Sequence, residues 1–366
     1  MGSNMGDRFG YLQACVNAIF EQIGTISKIS SVYETPAMGF DGDPFLNCVL
    51  WVQSEITLKQ LLRRTQAIEK KLGRLQKTEQ GYTSRVIDID VLFYNDEVVE
   101  EAHLHVPHPH MADRKFVLQP LAEVNAQLEH PVLKQKVIKL LAKTSDTSEL
   151  NKWSKWLRNP IQGYDLSRFT YIAIEGNIGA GKTSLATKIA NDFNAKLILE
   201  RFKDNPFLPK FYEDQQRYAF PLEMSFLADR YQQLLDDIHQ FDLFKEFVVA
   251  DYDAYKSLIF AQVTLAEEEF ILYKKLFNMM HRELRNPDLY VYLYQNTERL
   301  MENIRKRGRT FETSIQPEYL KKINEGYLSY VKNQPQDRVK IIDISDMDFV
   351  ENRADYLNIL QAIVRN

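Results

Sequence analysis

The segment 176–183, with the sequence GNIGAGKT, constrains the fold of this chain more than any other feature. It follows the apolar and β-branched residues 171–174 and precedes a helix-prone run, so it fits G-x-x-x-x-G-K-[ST] in the strand–loop–helix context that this pattern requires. Its glycines let successive backbone N–H groups point at phosphate oxygens, and the following helix adds the positive end of its dipole. The segment therefore predicts phosphoryl chemistry on a nucleoside triphosphate.

The side chains of this loop have separate predicted roles. Lys182 would reach the β- and γ-phosphates of ATP, and the Thr183 hydroxyl would ligate Mg²⁺. A chance glycine loop is the alternative, which the strand and helix signals on either side disfavour. The predicted nucleotide-binding residues are Gly176, Asn177, Gly179, Ala180, Gly181, Lys182 and Thr183.

Length and charge limit the class of protein. The 366 residues suit two domains, and a net charge of −4 gives no basic field for nucleic acid. The sequence has no apolar run of roughly eighteen residues, so we expect no membrane span. The N-terminal sequence MGSNMGDRFG lacks a signal pattern, and Cys15 and Cys48 are too few for a disulfide framework. A cytoplasmic protein is the expectation.

The first half of the chain mixes helix and strand patterns. Apolar spacing predicts helices at 11–23 and 57–72, and alternation predicts strands at 26–34, 45–54 and 86–93. This order favours an α+β domain, with helices layered on one antiparallel sheet.

The segment 85–93, RVIDIDVLF, carries the chemistry of this half. In a strand, Asp88 and Asp90 share one face, where two carboxylates repel each other unless a cation lies between them. Paired carboxylates suit Mg²⁺ together with substrate phosphates, and Arg74 and Arg85 could clamp a phosphate. A strand with one solvated face is the open alternative.

Histidines cluster shortly after this segment. His103, His105, His108 and His110 could suggest zinc, but their spacing matches no usual ligand pattern and no cysteine lies nearby. His108 and Arg114 fit better as hydrogen-bond donors to phosphate.

Together these features carry a resemblance. Residues 2–125 resemble the 6-hydroxymethyl-7,8-dihydropterin pyrophosphokinases, folate-pathway enzymes that move pyrophosphate from ATP onto a pterin alcohol. The matching pieces are GSN at 2–4, YETP at 33–36, FLN at 45–47, Arg85-x-x-Asp88-x-Asp90 and His108-x5-Arg114-x-Phe116.

The resemblance implies roles for individual residues. Asp88 and Asp90 would hold two Mg²⁺ ions, and Arg85 and Arg114 would act on the transferring phosphates. The residues implied to bind the pterin are Thr35, Met38, Asn47 and Phe116. Those implied to face the nucleotide are Glu69, Arg74, His108 and Arg114.

The sequence departs from this family in two places. The family opens with a β-strand before the Gly-Ser-Asn motif, whereas Met1 stands one residue before it here, so we expect the first strand to be missing and a sheet edge or gap to remain. The family's Trp-Gly-Pro-Arg run is replaced by residues 80–85, QGYTSR, and Gln76 stands where a basic residue is expected.

The second half of the chain alternates strands and helices. Strands are predicted at 195–199, 247–250, 289–293 and 339–342, which implies a parallel sheet with its chemistry at the carboxyl ends of the strands. Glu200 and Asp251 follow two of these strands.

Residues 168–366 resemble the deoxyribonucleoside kinases. The matching pieces are EGNIGAGKT, the glutamate after the second strand, NPFLPKFY, FPLEMSFLADR, IFA, and RKRGRTFE followed by PEYL. The resemblance implies that Glu200 is the general base for the 5′-hydroxyl and that Arg307 and Arg309, with Lys182, stabilise the transferring phosphoryl group. It implies Tyr212 and Glu312 at the sugar 3′-hydroxyl, Asp251 at the metal, and a homodimer through the kinase helices.

Two departures bear on the substrate. Glu223 stands where the family usually has glutamine, and a carboxylate only accepts hydrogen bonds, which favours purine amines and deoxyadenosine first, with deoxyguanosine close behind. The family's Asp-Arg-Ser run is Asp251-Tyr252-Asp253 here, so its arginine is absent, and Lys256 is the candidate substitute.

These inferences combine into one prediction. Residues 1–157 would form a ferredoxin-like α+β pterin pyrophosphokinase domain, 158–167 a linker, and 168–366 an α/β P-loop domain. The chain would use ATP and Mg²⁺ to phosphorylate a deoxyribonucleoside and pyrophosphorylate a pterin. Two alternatives are an inactive first domain that regulates or oligomerises the kinase, and a second domain that phosphorylates a nucleoside monophosphate.

Overall fold

The computed structural model describes residues 1–37, 40–74, 84–101, 103–201, 205–239, 244–309, 312 and 314–365, with the backbone alone at 239. The chain divides into two compact units, Met1–Tyr164 and Asp165–Asn366. Within the described ranges no helix is both long and apolar enough to cross a membrane.

The first unit is an α+β fold, as predicted. Its helices are α1 (Arg8–Gln22), α2 (Leu58–Lys71), α3 (Lys115–Asn125) and α4 (Val137–Lys143). Its strands are β1 (Gly2–Ser3), β2 (Thr25–Ile29), β3 (Tyr33–Thr35), β4 (Phe45–Asn47), β5 (Leu50–Gln53), β6 (Val99–Glu101), β7 (Leu104–Val106) and β8 (Asn151–Lys152). The strands pair antiparallel in the order β1-β4-β3-β8, with separate pairs β2-β5 and β6-β7.

The two long helices form where the sequence signals them. At α1, the Asp7 side chain caps the helix by accepting from the Gly10 amide, so the helix begins three residues before the predicted 11–23 segment. At α2, Thr57 and Gln60 form a capping box, which sets the start of the helix next to the predicted residue. Both helices bury an apolar face in the unit.

Each of the predicted strands 26–34 and 45–54 is divided in two. The Val49 amide donates to the Ser30 hydroxyl oxygen at 2.9 Å, and the Ser31 amide donates to the Glu123 carboxylate at 2.7 Å. Side-chain oxygens thus take the place of ladder carbonyls between β2 and β3 and between β4 and β5. The continuous strand expected from alternation is therefore interrupted at this point.

The prediction of a strand at 86–93 is wrong. This segment forms a single bridge, in which the Gly2 amide donates to the Asp88 carbonyl at 2.9 Å and the Asp88 amide donates back at 2.8 Å. The Ile89 amide donates instead to the Glu69 carboxylate at 2.7 Å. The ladder stops because β1 has two residues and a side chain takes the next amide.

The Gly-Ser-Asn motif at residues 2–4 itself provides the two-residue strand β1. Gly2 pairs with Asn47 and Ser3 with Leu46 of β4. Gly2 also forms the bridge to Asp88, so β1 lies between β4 and the acidic segment. This arrangement brings the two aspartates next to the sheet.

The second unit is an α/β fold around a parallel sheet, which confirms the predicted class. Its strands are β9 (Tyr171–Gly176), β10 (Lys196–Ile198), β11 (Val248–Ala250), β12 (Leu289–Tyr294) and β13 (Val339–Asp343), in the order β10-β11-β9-β12-β13. Its helices are α5 (Lys182–Asp192), α6 (Leu208–Glu213), α7 (Gln215–His239), α8 (Lys256–Thr264), α9 (Glu267–His281), α10 (Thr297–Arg307), α11 (Pro317–Lys332) and α12 (Arg353–Val364).

The sheet of the second unit is buried on both faces. All six residues of β9 are buried, as helices cover both sides of a parallel sheet. All pairings are parallel, so the carboxyl ends of β9, β10 and β11 meet at one edge. That edge carries the phosphate loop, Glu200 and Asp251.

Candidate active sites

The phosphate loop of the second unit joins β9 to α5 in a conformation that needs glycine. Gly179 and Gly181 have φ angles of +87° and +80°, in the left-handed region that glycine adopts without a steric penalty. A Cβ at Gly181 would also lie 2.7 Å from the Phe349 ring. The motif glycines are therefore required by both backbone conformation and close packing.

Lys182 lies folded back over this loop. Its Nζ donates to the carbonyls of Gly176 at 2.9 Å and Asn177 at 3.0 Å. Burial, reinforced by the nearby charge of Lys256, lowers the pKa of Lys182 to about 8, although neighbouring carboxylates act in the opposite direction. The ammonium thus stands beside backbone amides, where phosphate oxygens would bind.

A hydroxyl and a carboxylate meet beside the loop. The Thr183 hydroxyl donates to Asp251 Oδ2 at 2.5 Å, and the Glu200 amide donates to Asp251 Oδ1 at 2.7 Å. In the described residues no group of three or more His, Cys, Asp or Glu side chains could enclose a metal ion. A hydroxyl and one carboxylate nevertheless fit Mg²⁺, which keeps waters and takes substrate phosphates as further ligands.

Glu200 is held between two cations from different helices. Its Oε1 accepts from Arg230 Nε at 2.8 Å and from Nη2 at 2.7 Å, and its Oε2 accepts from Lys256 Nζ at 2.6 Å. Burial alone would raise the pKa of Glu200, but the charges of Lys256 and Arg230 outweigh it and hold the pKa well below its usual range. Glu200 is therefore a fixed carboxylate.

Glu223 is a second buried carboxyl in this unit. Its Oε1 accepts from the Thr264 hydroxyl at 3.1 Å, whereas Oε2 is buried and has no hydrogen-bond partner among the described residues. Burial raises the pKa of Glu223 to about 7, against the charge of Arg230 and the bond from Thr264.

Two cavities meet at Glu200. The smaller cavity, of about 120 Å³, is lined by Glu223, Glu312 and Tyr212. The larger cavity of about 1000 Å³ contains the phosphate loop. The residues that line both are Gly179, Lys182, Thr183, Glu200, Asp251, Arg307 and Arg309.

Two arginines, Arg307 at the end of α10 and Arg309 just after it, converge on one carboxylate. Arg307 pairs with Glu312 Oε2, its Nε lying 3.1 Å away, and Arg309 Nη1 lies 3.2 Å from Glu312 Oε1. Glu312 is 5% exposed, while both arginine side chains stay about one-third exposed. The buried carboxylate of Glu312 thereby holds Arg307 and Arg309 at the wall of the smaller cavity.

In the first unit, two cavities again share a charged wall. One of about 300 Å³ contains the predicted pterin residues, and one of about 350 Å³ contains the predicted nucleotide residues. The residues that line both are Arg85, Asp88, Asp90 and Arg114.

The first of these cavities is mostly apolar. Buried Asn47 donates from Nδ2 to the Thr35 hydroxyl at 2.8 Å, so two predicted pterin residues form one polar point in it. The guanidinium of Arg114 lies 5.8 Å from the centre of the Phe116 ring. Met38, also predicted here, lies outside the described residues.

The second cavity is strongly charged. Arg74 pairs with Glu69 and lies 2.6 Å from Asp88 Oδ1, and Arg85 pairs with Asp88 Oδ2. Burial raises the pKa of Glu69, despite the hydrogen bond from the Ile89 amide. Burial likewise lowers the pKa of His108, although Asp90 opposes this. The two guanidiniums thus pair with the carboxylate of Asp88, where a bound cation would compete with them.

Two residues of these sites escaped sequence reasoning. Arg230 received no role in the sequence analysis, yet it holds Glu200. Asn4 accepts from the Arg85 amide at 2.7 Å and donates to the Ser84 hydroxyl at 3.0 Å, so it fixes the start of the acidic segment. For Arg230, its position on a helix with many apolar residues was a signal that the side chain could be buried. Asn4 carried no such local signal, because its contact with Arg85 spans 81 residues.

A parallel sheet with a phosphate loop, a hydroxyl–carboxylate pair and an adjoining acceptor cavity defines the second unit as a P-loop phosphotransferase. Comparison with known families agrees with this class. A family described as deoxynucleoside kinase matches residues 172–366, and one described as 7,8-dihydro-6-hydroxymethylpterin-pyrophosphokinase matches residues 1–126. The chain belongs to the deoxynucleoside kinases through its C-terminal part and to the pterin pyrophosphokinases through its N-terminal part, and is a kinase in both.

Individual relatives match the two parts separately. A deoxyguanosine kinase of Bacillus subtilis is 39% identical over 190 residues, covering 51% of this chain and 92% of the relative. A deoxyadenosine kinase of Dictyostelium discoideum is 32% identical over 187 residues, covering 50% and 74%. A 2-amino-4-hydroxy-6-hydroxymethyldihydropteridine pyrophosphokinase of Aquifex aeolicus is 38% identical over 136 residues, covering 37% and 83%.

Proposed function

We propose that the chain catalyses two ATP-dependent transfers. The second unit moves the γ-phosphoryl group of ATP to the 5′-hydroxyl of a purine deoxyribonucleoside. The first unit moves pyrophosphate from ATP to the hydroxymethyl group of a dihydropterin. The relatives named above support both reactions, and each unit supplies a two-cavity site that suits its reaction.

One observation carries the kinase proposal. Glu200 lines both the small cavity and the phosphate-loop cavity, so its carboxylate stands where an acceptor hydroxyl would meet a phosphate. Lys182 lines the same two cavities. Positioning and charge stabilisation account for most of the catalysis in phosphoryl transfer, and both are supplied here.

The chemical step follows from this arrangement. Glu200 accepts a hydrogen bond from the 5′-hydroxyl, whose oxygen attacks the γ-phosphorus while the bond to the β-phosphate oxygen breaks and ADP leaves. The hydroxyl proton passes to Glu200. Because the pKa of Glu200 is held low, the carboxylate mainly orients the hydroxyl and takes the proton late in a loose transition state.

The surrounding cations stabilise the charge that moves. Lys182, Arg307 and Arg309 neutralise the phosphate oxygens during transfer. Thr183 and Asp251 would hold Mg²⁺, which would supply neutralisation of phosphate charge. Lys256 takes the position of the absent family arginine by holding Oε2 of Glu200 at 2.6 Å.

Glu223 supports a purine substrate. Its Oε2 has no partner among the described residues, and the carboxyl lines the small cavity. A carboxyl group that reads a base edge suits the amino group of adenine or guanine. We propose deoxyadenosine as the favoured substrate and deoxyguanosine as the next; the names of two relatives, a deoxyguanosine kinase and a deoxyadenosine kinase, support a purine.

In the first unit, the shared wall of the two cavities carries the proposal. The pterin hydroxymethyl oxygen attacks the β-phosphorus of ATP and its proton passes to solvent, while the bond to the α-phosphate oxygen breaks and AMP leaves. Asp88 and Asp90 would hold two Mg²⁺ ions, which would supply neutralisation of phosphate charge. Arg85 and Arg114 stabilise the transferring group, Glu69, Arg74 and His108 face the nucleotide, and Thr35, Asn47 and Phe116 bind the pterin.

We also propose a homodimer through the helices of the second unit. On α9, Ile271 and Leu272 are each 50% exposed and Met279 is 68% exposed. Light scattering of the full chain tests this, and a monomeric mass at all concentrations contradicts it.

The test of function is a product assay on the full chain. Each of the four deoxyribonucleosides, deoxyadenosine monophosphate and the pterin alcohol is supplied separately with ATP and Mg²⁺. We expect monophosphates of the purine deoxyribonucleosides, and AMP together with the pterin pyrophosphate. Phosphorylation of the monophosphate but not the nucleoside would contradict the kinase proposal, and absence of pterin product would contradict the first-unit proposal.

A further inference from the structure

The carboxyl of Glu223 presents one oxygen that is already held and one that is not. Thr264 donates to Oε1 at 3.1 Å from the last turn of α8, while Oε2 is buried without a hydrogen-bond partner among the described residues. The side chain is 2% exposed and lines the small cavity of the second unit. A buried carboxyl oxygen left unmatched is costly, so a ligand group is the expected partner.

The two purines demand different patterns from such a carboxyl. Guanine presents two neighbouring donors, N1–H and the N2 amino group, and these need two acceptors. Adenine presents the N6 amino group as a donor and N1 as an acceptor, and these need one acceptor and one donor. A carboxylate supplies two acceptors, whereas a neutral carboxylic acid supplies one of each.

We infer that a single proton on Oε2 of Glu223 selects the purine. The neutral acid takes deoxyadenosine, donating from Oε2 to N1 and accepting from N6 at Oε1. The carboxylate takes deoxyguanosine, accepting from N1–H and N2–H. Thr264 is a positioning residue that holds Oε1 in both states. This inference rests on the proposed kinase function of the second unit.

The surroundings of Glu223 allow both protonation states near neutral pH. Burial raises its pKa to about 7, and the charges of Arg230 and Lys256 favour the carboxylate while Glu200 opposes it. The charge of Glu223 also interacts with three tyrosines on other helices. Burial raises the pKa of each of these tyrosines, so they stay neutral. They are Tyr212 on α6, Tyr273 on α9 and Tyr319 on α11.

The two complexes differ by one proton, which gives a quantitative consequence. The ratio of kcat/KM for deoxyadenosine to that for deoxyguanosine must fall about tenfold for each unit that the pH rises. This slope follows from the proton count alone and does not depend on where the pKa of Glu223 lies. Neither base changes its own protonation near neutral pH.

The experiment is a competition assay on the full chain. Both purine deoxyribonucleosides are present together with ATP and Mg²⁺, and the two monophosphates are quantified between about pH 6 and about pH 8.5. Titration of groups that act on both substrates, such as Glu200 and Lys182, cancels in the product ratio. We expect the logarithm of the ratio to fall with a slope near −1.

Two variants separate the selection of the purine by Glu223 from the positioning of its carboxyl group by Thr264. Glu223→Gln has one donor and one acceptor at every pH, so its product ratio should favour deoxyadenosine and lose its pH dependence, with deoxyguanosine activity reduced about tenfold or more. Thr264→Val should raise KM for both purines and keep the slope, and Thr264→Ser should restore KM.

The outcomes are distinct. Phosphorylation of both purines with a constant product ratio across the pH range overturns this inference and leaves the proposed kinase function standing. A slope that persists in Glu223→Gln also overturns it. If neither purine is phosphorylated, the proposed function fails as well. Because the slope is measured on the unmodified chain, the test stands even if a variant does not fold.

Discussion

Lys256 Nζ lies 2.6 Å from Oε2 of Glu200, across 56 residues of sequence. Arg230 occupies the other oxygen of the same carboxylate. Both cations come from helices, α8 and α7, so their positions are fixed by packing. The carboxylate that we propose to orient the acceptor hydroxyl is therefore held from both sides.

Replacing Lys256 should slow phosphoryl transfer. In Lys256→Ala, Oε2 of Glu200 loses its cation, so the carboxylate is less well oriented and its pKa rises. We expect kcat for deoxyadenosine phosphorylation to fall about 100-fold, the scale of losing one charged group at a transferring centre. Steady-state kinetics measures this.

The matched control for this variant is Lys321→Ala, which removes an exposed lysine from α11. It should leave kcat and KM unchanged. Unchanged turnover in Lys256→Ala would remove Lys256 from the site.

Replacing Asp251 should change the metal requirement. In the unmodified chain the Glu200 amide donates to Asp251 Oδ1 at 2.7 Å, and Asp251→Asn keeps an oxygen that can accept this bond. The variant removes the negative charge beside the Thr183 hydroxyl. We expect the Mg²⁺ concentration for half-maximal kinase activity to rise about tenfold or more. Titration of Mg²⁺ at fixed ATP measures this, and an unaltered midpoint would show that Asp251 is not a ligand.

In the first unit, Asp90 offers a cleaner test than Asp88. Asp88 pairs with Arg74 and Arg85, so its loss would leave two cations facing each other, whereas Asp90 is exposed. Asp90→Asn should lower pterin pyrophosphorylation about 100-fold and leave deoxyribonucleoside phosphorylation at the wild-type rate. Paired assays of both products measure this.

The fluorescence of Trp51, Trp153 and Trp156 provides the control for that variant. All three tryptophans of the chain lie in the first unit. Their thermal unfolding transition should be unchanged in Asp90→Asn. Full pterin activity in this variant would contradict the assignment of Asp90 to the metal.

Glu175 should make the second unit less stable as the pH rises. It is fully buried, accepts from the Tyr327 hydroxyl at 2.9 Å, and burial raises its pKa to about 7 from an ordinary value of 4.5. The folded state therefore holds the proton more tightly than the unfolded state. The contribution of Glu175 to the free energy of unfolding is complete below about pH 4.5 and is lost as the pH rises through about 7.

Comparison with Glu175→Gln isolates this effect. Over that interval the wild type should lose roughly 3 kcal/mol relative to the variant, the equivalent of about two and a half pKa units. Hydrogen exchange of the β9 amides, compared at equal pH, measures it. The exposed Glu325→Gln on α11 is the control, and a constant difference at every pH would contradict the prediction.

Sequence reasoning succeeded best where the signal was local. The phosphate loop and the start of α2 next to residue 57 follow from neighbouring residues, and the alternation of strands and helices predicted the parallel sheet. It failed at 86–93, because a strand needs a partner ladder and β1 offers only two residues. It also gave Arg230 no role, because the partner of Arg230 lies 30 residues away.

The sequence by itself determined the two families and the chemistry of the phosphate loop, since three spaced glycines followed by a lysine and a threonine set both the backbone shape and the charge of that loop. Only the tertiary structure decided which cations hold Glu200, and that Oε2 of Glu223 lacks a partner among the described residues. The physical reason is that the burial and the ion pairs of a carboxylate depend on helices that packing brings together. No local sequence pattern encodes the distances between side chains on different helices.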